Sequence, residues 1–247
     1  MIVIKSKRIR DMLRVVLPFI VMPALVVLGA LIFSEKQHLI VSLGMACMSL
    51  LFFLTGFEKR KTGGRRMVIV SVMTALCIVG RFIPLFKPVT ALTIITAMYL
   101  GGEAGFLVGA LSAVLSNFYF GQGPWTPFQM LAWGFIGLIA GWLADPLKTH
   151  RWLLLIYGVA AGAAYSLIMD VWNVLWYAGS LDWSLYAASV ATALPHTLLY
   201  AVSNFVFLYF LAKPFGEKME RVKVKYGGRR KAAPFCISNW RRLCYNQ

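Results

Sequence analysis

The chain has 247 residues, with 25 lysines and arginines against nine aspartates and glutamates, giving a formal net charge of +16. Hydrophobic residues make up 60% and charged residues 14%, whereas soluble domains run at roughly 45–50% and 25%. A soluble fold cannot hide that much apolar side chain, so composition excludes a soluble enzyme, a secreted disulfide scaffold and a disordered chain, and predicts an all-α, polytopic membrane helical bundle. The basic residues lie in tails and short loops between apolar runs. That is the charge signature of membrane topology, and no nucleic acid is expected as a partner.

Residues 15–33 form the first uncharged run, behind Lys5, Lys7, Arg8, Arg10 and Arg14. The run is too long for a signal-peptide core and no A-x-A site follows, so it reads as an uncleaved span. Residues 39–57 form a second. The polar linker 58–66 (EKRKTGGRR) then separates an N-terminal pair of spans, within 1–60, from a core over 67–212. Residues 67–83 make the third span, and Pro84 and Pro88 force a turn after it. The fourth, 88–102, would be only about 22 Å long, short of the ~30 Å hydrocarbon core, and is expected to pack inside the bundle. Residues 104–144 carry no charge. The string Phe120-Gly121-Gln122-Gly123-Pro124-Trp125-Thr126-Pro127 divides them into 104–118 and 127–144. Residues 152–174 and 185–212 complete eight spans. A basic tail over 213–247, with Phe235, Trp240 and Leu243 near its end, reads either as solvated chain or as a segment lying on an anionic leaflet.

With the N-terminus inside, 22 basic residues fall on the cytoplasmic side and only Lys36, Arg81 and Lys87 on the other. Both termini are therefore expected in the cytoplasm. Cys47 and Cys77 sit in apolar runs and Cys236 and Cys244 in the tail, at spacings that fit no common zinc pattern, and all four read as free thiols. No metal or cofactor is expected.

Polar groups inside a membrane are costly, so their placement points to function. Arg81, Asn117, Gln129, Asp170 and Asn173 all fall towards the outer ends of their spans, with His196 near mid-membrane. Tyr119, Gln122, Trp125, Trp133, Trp172 and Trp176 share that outer half. An aromatic belt accounts for part of this, but the charged and amide groups together suggest a shared cup open to the outside. Below it, small residues recur at four-residue spacing: Gly101, Gly105, Gly109 and Ala113 before Asn117; Gly137 and Gly141 after Trp133; Gly158, Gly162 and Ser166 before Asp170. Such stripes let membrane helices approach closely. There is no P-loop, H-E-x-x-H or G-x-S-x-G. An intramembrane enzyme using Asp170 and His196 would lack an accompanying nucleophile–base constellation, and a ligand-free assembly subunit is a further alternative.

The run Ser116-Asn117-Phe118-Tyr119-Phe120-Gly121-Gln122-Gly123-Pro124-Trp125-Thr126-Pro127-Phe128-Gln129-Met130, with Ala132-Trp133-Gly134, Phe86-Lys87-Pro88 and Gly101-Gly102-Glu103-Ala104-Gly105, resembles the substrate-binding S components of energy-coupling-factor (ECF) transporters. The resemblance covers about 67–212. It implies a non-enzymatic six-helix core, here extended by two N-terminal helices, in a bacterial plasma membrane. It also implies a vitamin-like substrate taken from outside, and as partners a transmembrane coupling subunit and two ATPase subunits. The family's small A-x-x-x-A docking face corresponds to Ser71-x-x-x-Ala75. The gating loop corresponds to about Phe82 to Thr90, which places Phe86 at the site, and loops 117–127 and 175–186 would complete the rim. The aromatic mouth and the G-Q-G-P-W string lean towards cobalamin or a related corrinoid.

Overall fold

The computed structural model describes residues 7–32, 38–56 and 63–226, and every regular element among them is a helix. Cys236, Cys244, Lys36, most of the 58–66 linker and the tail beyond Tyr226 lie outside the described residues. The elements are α1 (Lys7–Val16), a π-helical turn (Leu17–Val21), α2 (Met22–Ile32), α3 (His38–Thr55), α4 (Gly63–Gly80), α5 (Val89–Leu100), α6 (Gly102–Phe120), α7 (Thr126–Trp142), α8 (Ala144–Thr149), α9 (Arg151–Ala178) and α10 (Trp183–Tyr226). Each of the eight apolar runs falls on a helix, and α4, α5, α6, α7, α9 and α10 form the six-helix core expected of the chain. The protein is a multi-pass membrane protein.

The first span is continuous through the π-turn. Pro18 sits in that turn, where its missing N–H removes one rung of the α-helical ladder. Five helices among the described residues are long and apolar enough to cross a membrane: Arg8–Ala30, His38–Thr55, Gly102–Phe120, Arg151–Ala178 and Trp183–Arg221. The shorter α5 has every residue from Val89 to Tyr99 buried, so it is surrounded by protein and has no lipid face to match. The short α8 is an element that the sequence pattern does not announce. The last helix runs on past residue 212, through Pro214, to Tyr226. Gly216 packs on Tyr99 and Met219 is buried, so packing holds this extension where the proline removes a hydrogen bond.

Small residues set the closest helix approaches. A Cβ on Gly137 of α7 would stand 2.5 Å from the backbone of Gly105 of α6, and one on Gly109 would stand 2.6 Å from the Trp133 carbonyl oxygen. A Cβ on Gly162 of α9 would stand 2.8 Å from the backbone nitrogen of Ala201 on α10. The stripes therefore pair α6 with α7 and α9 with α10, where dispersion between near-touching backbones holds helices together in lipid.

The N-terminal helices lie against α6 and α7. Phe52 of α3 meets Phe106 of α6 edge-on at 5.5 Å, and Phe19 stacks on Trp142 of α7 at 5.7 Å. At the α5–α6 corner, Gly101 adopts φ +97°, which side chains rarely tolerate. Glu103 there pairs with Arg14 at 3.3 Å and lies 3.8 Å from Arg66. Arg66 also donates to the carbonyls of Gly56 (2.9 Å) and Leu100 (2.5 Å). These arginines, with Lys148, Arg151 and Lys213, make one end of the bundle basic.

Candidate ligand-binding layer

At the opposite end, four core helices contribute to one hydrogen-bonded layer. Arg81 follows the last turn of α4, where its backbone N–H still reaches Cys77 and Ile78. Its Nη1 donates to Asn117 Oδ1 at 2.6 Å and to the Ser116 hydroxyl on α6. Asn117 Nδ2 donates to Thr126 Oγ1 and to Gln129 Oε1 of α7, both at 2.9 Å. Gln129 Nε2 donates to the Tyr165 hydroxyl of α9 at 2.7 Å. The hydrogen-bond chain thus runs from Arg81 through Asn117 and Gln129 to the accepting hydroxyl of Tyr165. Asn117 is 1% exposed and Gln129 7%; buried amides of this kind are stable only while partnered.

Aromatic rings wall the layer. The Trp133 and Tyr165 rings stack at 5.1 Å with their planes 14° apart, and Tyr200 of α10 meets Tyr165 edge-on at 5.2 Å. The Arg81 guanidinium lies 4.9 Å from the Phe120 ring and 5.4 Å from that of Trp133. Its Nε is buried without a hydrogen-bond partner, and none of the ion pairs among the described residues involves Arg81. The site thus presents a cation on amides, hydroxyls and ring faces. In the loop that follows, burial and then the Arg81 charge pull the Lys87 ammonium below its ordinary value.

Asp170 and Asn173 form a second cluster between α9 and α10. The Ser189 hydroxyl donates to Asp170 Oδ1 at 3.2 Å and receives Asn173 Nδ2 at 3.4 Å. Asp170 is 2% exposed, and its Oδ2 is buried without a partner, as is Trp172 Nε1. Trp172 meets Trp125 edge-on at 5.8 Å and stacks on Trp176 at 6.4 Å.

Other sequence-named residues lie apart from the layer. Tyr119 is 73% exposed on a rim with Phe82 and Phe120. Gln122 Nε2 donates to the Val114 carbonyl, tying its loop back onto α6. Phe86 is half-buried in the α4–α5 loop, and His196 is exposed on α10 while Asp170 is buried. Sequence reading missed Tyr165, Ser116, Thr126 and Ser189. Tyr165 carries the only signal that could have flagged it: a hydroxyl-bearing ring deep in a span, next to the small-residue stripe. Among the described residues, no three His, Cys, Asp or Glu side chains come together as a metal site.

On the first core helix, Ser71 and Ala75 are both exposed, on the side of α4 away from buried Val70, Met73, Thr74 and Cys77. The Ser71 hydroxyl donates to the Met67 carbonyl at 3.0 Å, so the serine adds no unsatisfied group to that face.

The family described as ECF-type riboflavin transporter, S component, matches residues 61–221. A UPF0397 protein of Clostridium perfringens (strain SM101 / Type A) is 26% identical over 186 residues, covering 70% of this chain and 98% of that protein. No solved structure matches the chain.

Proposed function

The chain belongs to the ECF-type riboflavin transporter S component family, a family of substrate-specific membrane subunits of ECF importers, and we propose that the Arg81–Asn117–Gln129–Tyr165 layer is where it captures its substrate. The carrying observation is that four separate helices direct unlike polar groups into one buried chain, with stacking rings beside it. Such a layer holds a ligand, and its amides and guanidinium have no nucleophilic role. The basic end faces the cytoplasm and the layer faces outward, as the positive-inside rule requires.

A planar heteroaromatic ring of the riboflavin type suits this layer. Its imide edge alternates acceptor, donor and acceptor, which Arg81, Asn117 and Gln129 can complement, and its faces suit the rings of Trp133, Tyr165 and Tyr200. The corrinoid expectation gains no support from the family description, which names riboflavin. Capture requires ligand groups to replace hydrogen bonds that the layer now makes internally, with the Phe82 to Thr90 loop moving to admit them.

Release into the cell uses a transmembrane coupling subunit and two ATPase subunits. Ser71 and Ala75 form the small face on which the coupling subunit docks, flanked by exposed Val68, Val72 and Val79. The test purifies the protein, identifies the co-purifying small molecule by mass spectrometry, and measures binding of riboflavin and cobalamin to the parent chain and to Gln129→Ala. Riboflavin binding weakened by Gln129→Ala supports the reading. Cobalamin binding alone, or binding indifferent to Gln129, overturns it. Ala75→Trp should abolish uptake and leave binding intact.

A further inference from the structure

Two buried polar atoms near the outer end of α9 stand apart from the hydrogen-bonded layer and have no partner: Asp170 Oδ2, an acceptor, and Trp172 Nε1, a donor. Asp170 is 2% exposed. Its other oxygen accepts from the Ser189 hydroxyl of α10 at 3.2 Å, and Asn173 Nδ2 donates to the same hydroxyl at 3.4 Å. Both bonds are long against the usual length of about 2.7–3.0 Å, so they hold the cluster loosely. None of the ion pairs among the described residues involves Asp170. A buried acceptor and a buried donor left unmade each cost stability, and a bound molecule that completes both relieves that cost.

Helix geometry ties these atoms to the layer. Asp170 lies five residues beyond Tyr165 on α9, about 7.5 Å further outward. Trp172 meets Trp125, one turn before Gln129, and Gln129 bonds Tyr165. Trp125, Trp172, Asn173 and Ser189 are half-buried, whereas Gln129 and Tyr165 are buried, so the cluster lies between the layer and the outer surface.

The two unmade atoms discriminate among ligand groups. An ammonium donates to Asp170 but offers Trp172 no acceptor. A phosphate or carboxylate accepts from Trp172 and is repelled by the Asp170 carboxylate. A hydroxyl both donates and accepts, and neighbouring hydroxyls complete both atoms without bringing charge. We propose that Asp170 and Trp172, backed by Ser189 and Asn173, form a second subsite that takes a neutral, hydroxyl-bearing chain attached to the ring held by the Arg81–Asn117–Gln129–Tyr165 layer. The inference rests on the substrate reading of that layer. It makes Asp170 and Trp172 the residues that distinguish a ring carrying a hydroxylated chain from the bare ring.

The test measures binding to the full-length protein in neutral detergent of two ligands: riboflavin, whose ring carries a hydroxylated chain, and lumiflavin, the same ring with a methyl group in place of that chain. The parent should prefer riboflavin. Asp170→Ala, which removes the acceptor, should lower riboflavin affinity about tenfold, and Trp172→Phe, which removes the donor and keeps a ring, about threefold. Both should leave lumiflavin affinity unchanged, whereas a merely structural role would weaken the two ligands alike; either variant that folds is enough to read. Equal binding of the two flavins by the parent overturns the subsite alone. So does a loss in the variants that is the same for both ligands, or no loss at all. Failure of the parent to bind either flavin overturns the substrate reading of the layer, and the subsite with it.

Discussion

The basic end of the bundle and its opposite end handle buried polarity in different ways. At the basic end, Glu103 lies between Arg14 and Arg66, and Arg66 also caps two backbone carbonyls. Charges and carbonyls here are mutually engaged and partly buried, so this end resists rearrangement. At the other end, Asn117, Gln129, Thr126 and Tyr165 are uncharged and trade neutral hydrogen bonds around a single cation. Neutral partners can be exchanged for those of an incoming molecule at modest net cost. One end is built to stay assembled, and the other has the composition of a surface whose bonds can be re-made.

The largest expected effect lies between the two ends. Gly137→Leu pushes a side chain into the α6 backbone and should prevent assembly of the core, seen as loss of a monodisperse peak in size-exclusion chromatography. Recovery of wild-type stability would show that the α6–α7 crossing is looser than the Gly105–Gly137 approach indicates. Next, Glu103→Ala removes the carboxylate that Arg14 and Arg66 share. It should cost about 2 kcal/mol in unfolding measurements while leaving ligand affinity unchanged. An affinity change of similar size would erase the distinction between the ends. Gln129→Ala should do the reverse, weakening ligand binding about tenfold in titration calorimetry with a smaller loss of stability.

How far the sequence could be read follows the same division. The glycine stripes at Gly105, Gly109, Gly137 and Gly162 were legible because four-residue spacing maps directly onto a helix face. Hydropathy likewise placed the eight apolar runs. The length of α10 was not legible: Lys213 and Pro214 resemble a stop, and only the packing of Gly216 on Tyr99 and the burial of Met219 explain why the helix continues. Within the layer, Arg81, Asn117 and Gln129 stood out as costly groups in apolar runs. Tyr165 did not, because a single tyrosine inside an apolar run counts towards its ring rather than its hydroxyl. His196 stood out for the same reason as the amides, yet its side chain is exposed; spacing alone cannot orient a single residue next to Pro195.

The smallest effect concerns the α9–α10 loop. Asp182 Oδ1 accepts hydrogen bonds from the Ser184 hydroxyl and from the backbone N–H groups of Ser184 and Leu185. These bonds hold its carboxyl below the usual carboxylate range. The depressed value means that the cap is intact above the ordinary aspartate range and is lost as pH falls through the lowered one. Asp182→Ala should fray the first turn of α10 at neutral pH, read as faster amide exchange at Ser184 and Leu185, and should abolish any acid-dependent fraying there. Exchange that is unchanged in the variant would mean that the cap does not hold this turn.

The sharing of Glu103 bears on how the chain can be shortened. The family match begins at residue 61, and that boundary invites a truncation that keeps only the six-helix core. Such a cut would delete Arg14 from the Glu103 cluster and strip Phe52 from Phe106, baring the α6–α7 flank to lipid or detergent. A minimal version of this protein would therefore need its α6–α7 surface redesigned before it could stand without the first three helices.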